Sequence, residues 1–127
     1  MDRNCYSIIM GQSKRVIGLY GEESAVQYLK RKGYSIIERN VYIAGGEIDI
    51  VAKKDTLLVF VEVKTRKSDV FVDPLDVLDD KKSQQLIDCC DEYMTQKKLL
   101  TFDYRIDLIT ILICGQENRI EHITGII

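Results

Sequence analysis

Three carboxylates and one lysine sit where a purely structural role has least use for them. In the stretch LLVFVEVK, residues 57–64, Glu62 and Lys64 are set two positions apart in a run of β-branched and aromatic residues. Side chains two apart on a strand share a face, so the pair can be read as the solvated side of a half-buried sheet. Leu58 and Phe60 share its parity, however, while Val59, Val61 and Val63 line the other face. Both faces are apolar up to the charged pair, and the glutamate emerges from a buried strand. Asp49 is a second case, lying between Ile48 and Ile50 in EIDIVA. Glu22 is a third: it precedes Ala25, Val26 and Leu29 by three, four and seven positions, on the buried stripe of a helix, whereas Glu23 points about a hundred degrees away. A glutamate at the rim of that stripe, reaching to water, is the plain structural alternative for Glu22.

Carboxylates that converge in an apolar setting repel, and at least one keeps its proton unless a cation lies between them. An all-oxygen ligand set selects Mg²⁺ or Mn²⁺ over zinc, and Mg²⁺ typically takes one or two carboxylates and retains several waters. Such an ion supplies activated water and neutralises the charge that grows on the non-bridging oxygens of a phosphodiester under attack. Lys64, on the same face, can orient the water or steady the transition state. Glu22 can serve a second ion or a water.

The elements that must position these groups follow from periodicity and punctuation. Residues 14–32 read as a helix with Ser13 as N-cap and Gly33 as a stop. YSIIERNVYI, EIDIVA and LLVFVEVK read as a meander of three strands broken by AGG and KKDT. A turn centred on Lys54 and Asp55 pairs Asp49 with Phe60, which places Asp49, Glu62 and Lys64 on one face with Glu62 as the diagonal neighbour of Asp49, roughly 7 to 8 Å away at the backbone. A slip of one residue would separate them. TRKSDVFVDPLD, with Pro74, reads as a loop. Asp79 or Asp80 then caps a helix that carries Leu86, Cys90, Tyr93 and Met94 on one face and ends near Lys98. RIDLITILI follows as a buried strand, and RIEHITGII as an edge strand. A helix between two apolar strands suits a crossover that lays residues 106–113 parallel to residues 57–64. The expected fold class is therefore α/β, in the order α-β-β-β-α-β, with a mixed central sheet flanked by helices.

Composition narrows the function classes. A chain of 127 residues, 46% hydrophobic and without internal repeats, is the size of one domain with one core. Its 18 Lys+Arg against 20 Asp+Glu lack the basic excess that marks indiscriminate nucleic-acid binding, so any such binding must use a local patch. The N-terminal apolar run IIM is too short for a signal-peptide core, and no later stretch approaches the ~18 apolar residues of a membrane span, which points to a cytoplasmic protein with no membrane partner. Cys5, Cys89, Cys90 and Cys114 show no CxxC spacing, and His122 is the one histidine. The thiols are expected to be reduced and buried, with neither a zinc site nor a disulfide framework.

Gly18-Leu-Tyr-Gly21-Glu22, Ala25, Leu29, Gly33-Tyr34, Asn40, GEIDIVA at 46–52, VFVEVKTR at 59–66, Lys82 with Leu86, and Arg105-Ile106-Asp107 together resemble the YraN-like family over about residues 11–113. That family is grouped with the PD-(D/E)xK nucleases, and its layout resembles archaeal Holliday-junction resolvases, which act as homodimers on branched DNA. The resemblance implies a restriction-endonuclease-like domain over residues 11–127, preceded by an N-terminal extension at 1–10. It implies Asp49, Glu62 and the backbone carbonyl of Val63 as ligands of Mg²⁺ or Mn²⁺, with Glu22 as an accessory acid and further candidate ligand. Lys64 becomes the catalytic lysine, DNA the nucleic-acid partner, and a homodimer the assembly. Lys82 becomes a phosphate contact. Two positions depart from the usual pattern: no proline precedes Asp49, and Tyr42 replaces the arginine commonly found two residues after Asn40.

Lys14, Arg15, Arg66, Lys67, Lys81 and Lys82 can form a backbone-binding rim, and Tyr42, Phe71 and Tyr104 are candidates to stack on bases, although such residues more often serve a core or strand. Lys53-Lys54 and Lys97-Lys98 read as solvated turn and helix-end charges. The expected function is a metal-dependent endonuclease acting on DNA, including branched or repair intermediates. The rival is a nucleic-acid-binding or assembly module that retains the fold without turnover, and a nuclease toxin domain is a third reading.

Overall fold

The computed structural model describes residues 13–67, 79–114 and 117–127. Helix α1 spans Lys14–Arg31, β1 Ser35–Ile43, β2 Gly46–Lys54, β3 Leu57–Lys67, α2 Asp80–Gln96, β4 Asp103–Cys114 and β5 Glu117–Ile123. The strands form one mixed sheet in the order β1-β2-β3-β4-β5, antiparallel except for the parallel pair β3 and β4. The expected class and element order hold, giving a restriction-endonuclease-like arrangement. β4 begins two residues earlier than expected, and the edge strand starts at Glu117 and stops at Ile123.

Capping fixes both helices. Ser13 accepts from the Val16 N–H at 3.4 Å, and Gly33 leaves α1 at φ 92°. Asp79 Oδ1 accepts from the Lys82 N–H at 2.8 Å, which settles Asp79 as the N-cap of α2.

The helices cover opposite faces of the sheet. Ala25, Val26 and Leu29 of α1 pack on Ile50, Ala52, Val59, Val61, Ile109 and Ile111. Cys89, Cys90, Tyr93 and Met94 of α2 pack on Val51, Leu58, Phe60 and Ile106. Each fully buried Leu, Ile, Val or Phe contributes roughly 1.5–3 kcal/mol, and β3 supplies such residues to both faces. It is therefore a firmly packed strand on which to mount a polar group. Cys89 and Cys90 are free thiols buried in this layer; burial first, and nearby acids after it, push both thiols up, and Cys89 Sγ donates to the Ile43 carbonyl at 3.1 Å.

α1 lies close on β3 at one point. A Cβ at Gly21 would overlap the Thr65 side chain. Glycine at this position therefore sets the distance between the next residue, Glu22, and the end of β3.

Candidate active site

β2 and β3 pair from Lys54 with Leu57 to Ile50 with Val61, and there the ladder stops. The next step of that register sets Asp49 opposite Glu62, where the strands part. The observed pairing corrects the expected one: Phe60 faces Val51, not Asp49. The turn residues are Asp55 and Thr56 rather than Lys54 and Asp55, because Asp55 takes the left-handed conformation at φ 55° that a two-residue hairpin turn requires. The difference is two residues, so parity survives, and Glu62 becomes a direct rather than a diagonal neighbour of Asp49.

The backbone around Asp49 is irregular on both sides. Ile48 packs with Val51 on the α2 face, whereas Ile50 packs with Ala52 on the α1 face, so the alternation of β2 breaks at Asp49. In β1, Asn40 takes φ 53° in the middle of the strand. Asparagine tolerates this region better than most residues, and such conformations gather at functional sites. The Asn40 amide Nδ2 donates to Glu22 Oε1 at 3.0 Å, and Arg39 Nε donates to the same oxygen at 3.3 Å. Arg39 also holds Glu23 through Nη1 at 2.8 Å. Glu22 is only 7% exposed, and these two donors fix it in place.

Asp49 Oδ2 accepts from the Val63 N–H at 2.8 Å. The N–H and C=O of one strand residue point to the same edge, so the Val63 carbonyl faces the same gap as Asp49. Glu62, 8% exposed, places Oε1 3.1 Å from Lys64 Nζ and 4.0 Å from Lys82 Nζ at the start of α2. Burial, then the facing charge of Glu62, with Glu47 and Glu22 behind it, pushes the Asp49 carboxyl up to about 8, against the Val63 N–H, which favours the anion. Burial works against the Lys64 ammonium, yet its hydrogen bond with Lys82 and the charge of Glu62 hold it above the usual lysine range. Lys82 is depressed by burial and by Lys64. Two acids thus face two amines, one held above and one below the ordinary lysine range.

Two cavities meet here. One, of about 330 Å³, is lined by Asp49, Glu62, Val63, Lys64 and Lys82. The other, a groove of about 870 Å³, is lined by Lys14, Arg15, Leu19, Glu22, Asn40, Tyr42 and Arg66. Asp49, Val63 and Lys64 border both. The residues present fit Mg²⁺ or Mn²⁺: Asp49, Glu62 and the Val63 backbone offer hard oxygen donors at one cavity. Among the described residues no three His, Cys, Asp or Glu side chains are grouped to hold one ion. Glu22 therefore stands beside the Asp49–Glu62 pair rather than in a single cluster with it.

Of the expected rim, Lys14, Arg15 and Arg66 line the groove and Lys82 lines the smaller cavity. Lys81 is exposed at the start of α2. Lys67 closes β3, with its side chain outside the described residues, where Phe71 also falls. Tyr104 is engaged edge-on with Phe60, and its hydroxyl donates to Asp91 at 3.3 Å, which makes it a strand residue rather than a base platform. Tyr42 is 76% exposed.

Sequence reasoning missed two sets of residues. Arg39 and Asn40 clamp Glu22, and the signal was an asparagine with its left-handed tolerance inside a β run. The other is a polar core around Asp107, which is wholly buried and accepts from Arg105 Nε at 2.7 Å and Nη2 at 2.9 Å, from the Gly125 N–H at 3.0 Å, and lies 2.7 Å from His122 Nε2. His122 Nδ1 in turn meets the Tyr28 hydroxyl at 3.1 Å. This network ties β4, β5 and α1 together, away from the groove.

Comparison with known proteins agrees with this architecture. Residues 21–111 match the model of the uncharacterised protein family UPF0102. A UPF0102 protein of Alkaliphilus metalliredigens is 40% identical over 109 residues, covering 86% of this chain and 95% of the relative. One of Flavobacterium psychrophilum is 41% identical over 106 residues, covering 84% and 88%, and one of Geobacter sulfurreducens is 40% identical over 112 residues, covering 87% and 88%. No helix among the described residues is long and apolar enough to cross a membrane. With the family match spanning residues 21–111 and relatives about 40% identical over most of their length, the chain belongs to the UPF0102 (YraN) family, within the PD-(D/E)xK-like nuclease superfamily.

Proposed function

We propose that this protein is a metal-dependent endonuclease that hydrolyses phosphodiester bonds of DNA in the cytoplasm, with branched or repair intermediates among its substrates. One observation carries the reading: Asp49, Glu62, Val63 and Lys64 line one cavity just beyond the point where the β2–β3 ladder ends. Bound there, Mg²⁺ or Mn²⁺ supplies an activated water and offsets charge on the phosphate in the transition state. The chain's own groups do the rest. Asp49 and Glu62, with the Val63 carbonyl, would hold the ion. Lys64, charged and at the mouth of both cavities, donates to the water or to a non-bridging oxygen. Glu22, immobilised by Arg39 and Asn40, presents a fixed acceptor in the groove beside Asp49. Lys14, Arg15, Arg66 and Lys82 contact phosphates, and with a net charge of −2 a homodimer that combines two such rims is the expected binding form.

The test is cleavage of linear, single-stranded, flap and four-way DNA in Mg²⁺ or Mn²⁺. Lys64→Ala is expected to lower cleavage by about 10²- to 10⁴-fold while metal and DNA binding persist, since the group acts in the transition state. Wild-type protein that binds these substrates and cleaves none would make the fold a binding module. Equal cleavage by Lys64→Ala would point to a contaminating nuclease.

A further inference from the structure

An aromatic ring left in water beside a phosphate-sized site calls for an explanation. Tyr42 is 76% exposed and is not part of any ring pair among the described residues. It pairs with Glu47 near the end of the β1–β2 hairpin and lines the 870 Å³ groove. α1 contributes Leu19, itself 47% exposed, to the same groove. A Cβ at Gly18 would meet nothing within 4 Å, so the helix is left open there. Apolar surface and cations thus line one hollow: Tyr42 and Leu19 for a flat ring, Lys14, Arg15 and Arg66 for a backbone, with Asp49 and Lys64 shared with the smaller cavity. Stacked bases in an intact duplex hide their faces, whereas an unpaired base offers one, and aromatic side chains take it without regard to sequence.

We infer that the groove holds an unpaired nucleotide stacked on Tyr42, so that the substrate class is DNA with a single-stranded or frayed segment next to the scissile phosphate, not continuous duplex. This deepens the nuclease reading and rests on it for the word substrate, but the stacking contact stands on the exposed ring and the charged groove alone. A second copy of this chain covering Tyr42 and Leu19 is the competing use of the same surface. It would bury Lys14, Arg15 and Arg66 in a protein contact, away from any phosphate.

The experiment measures binding of three labelled probes in EDTA at low salt: a single strand, a forked duplex and a blunt duplex, the first two carrying 2-aminopurine at the unpaired position. Tyr42→Ala is expected to weaken single-strand and fork binding roughly 5- to 150-fold, to change blunt-duplex binding by less than about twofold, and to abolish the quenching of 2-aminopurine. Tyr42→Phe should keep both, because the ring and not the hydroxyl makes the contact. The position is exposed, so both variants should fold, and matching circular dichroism spectra check this. Equal losses on all three probes, or no loss, would overturn the inference. So would a Tyr42→Ala protein that changes from dimer to monomer with unchanged fork binding, which would assign the surface to a second copy. Wild type that quenches the fork yet cleaves nothing would sink the nuclease reading and leave the stacking contact standing; active enzyme indifferent to Tyr42→Ala would do the reverse.

Discussion

Asp49→Asn should make the metal-free protein more stable while destroying its site. The folded chain raises the Asp49 carboxyl to about 8, whereas an unfolded chain leaves an aspartate near 3.9. The native state therefore binds the proton more tightly, and the free energy of unfolding falls as pH rises from about 4 to about 8. At about 1.4 kcal/mol per unit, the cost of Asp49 is on the order of 1–2 kcal/mol at pH 5, grows to several kcal/mol by pH 8 and levels off above it. Asparagine keeps an acceptor for the Val63 N–H and cannot ionise, so it removes this dependence. In thermal melts in EDTA the variant should melt only slightly above wild type at pH 5 and well above it at pH 8, at roughly 3–5 °C per kcal/mol for a chain of this size. Adding Mg²⁺ should reverse the order: the ion stabilises wild type by mass action and leaves the variant unchanged. A variant that melts below wild type, or a gap that does not widen with pH, would mean that Val63 and the lysines already satisfy Asp49, and the conflict inferred at the site would be wrong.

Two other changes test the scaffold. Gly21→Ala places a methyl group into the Thr65 hydroxyl, so it should cost about 1–3 kcal/mol in urea unfolding and lower cleavage by moving Glu22; Gly21→Ala with Thr65→Ala, which removes that hydroxyl, should recover part of the stability. Asp107→Asn leaves Arg105 facing a neutral amide in a buried pair and should cost about 3–5 kcal/mol near neutral pH. Burial opposes the Asp107 anion, but His122, Arg105 and the Gly125 N–H together lower its pKa, so the stabilisation is present above the ordinary aspartate value and is lost as pH falls through the lowered one. Denaturation curves of the variant and wild type should therefore converge in acid, and a gap that persists there would refute the charge argument.

Local features of the fold were legible because short-range rules govern them. Ser13 and Gly33 bracket α1 through capping, and Ala25, Val26 and Leu29 reveal its buried stripe at helical spacing. Glu62 stood out because its parity partners Leu58 and Phe60 are core residues. Register was less legible: the choice between Lys54-Asp55 and Asp55-Thr56 as turn depends on which residue accepts a left-handed backbone, and the flanking alternation fits both equally. The clamp on Glu22 was hidden for a related reason. It depends on Asn40 leaving the strand conformation, an irregularity that alternation cannot encode. Arg105 and Asp107 were visible as a motif, but their partner His122 comes from β5, and nothing in the spacing joins them.

The adjacent thiols of α2 make the opening of the site measurable. Cys89 and Cys90 are fully enclosed, and a thiol reacts only as an accessible thiolate. A labelling reagent must therefore wait for α2 to lift from β1 and β2. The same helix brings Lys82 to Glu62 and lets Gln85 Nε2 donate to the Gly45 carbonyl at 2.9 Å. The movement that exposes the thiols thus also removes one wall of the cavity that holds Asp49 and Glu62. In the limit where reclosing outruns reaction, the rate of modification at Cys89 and Cys90 reports the free energy that keeps that wall shut.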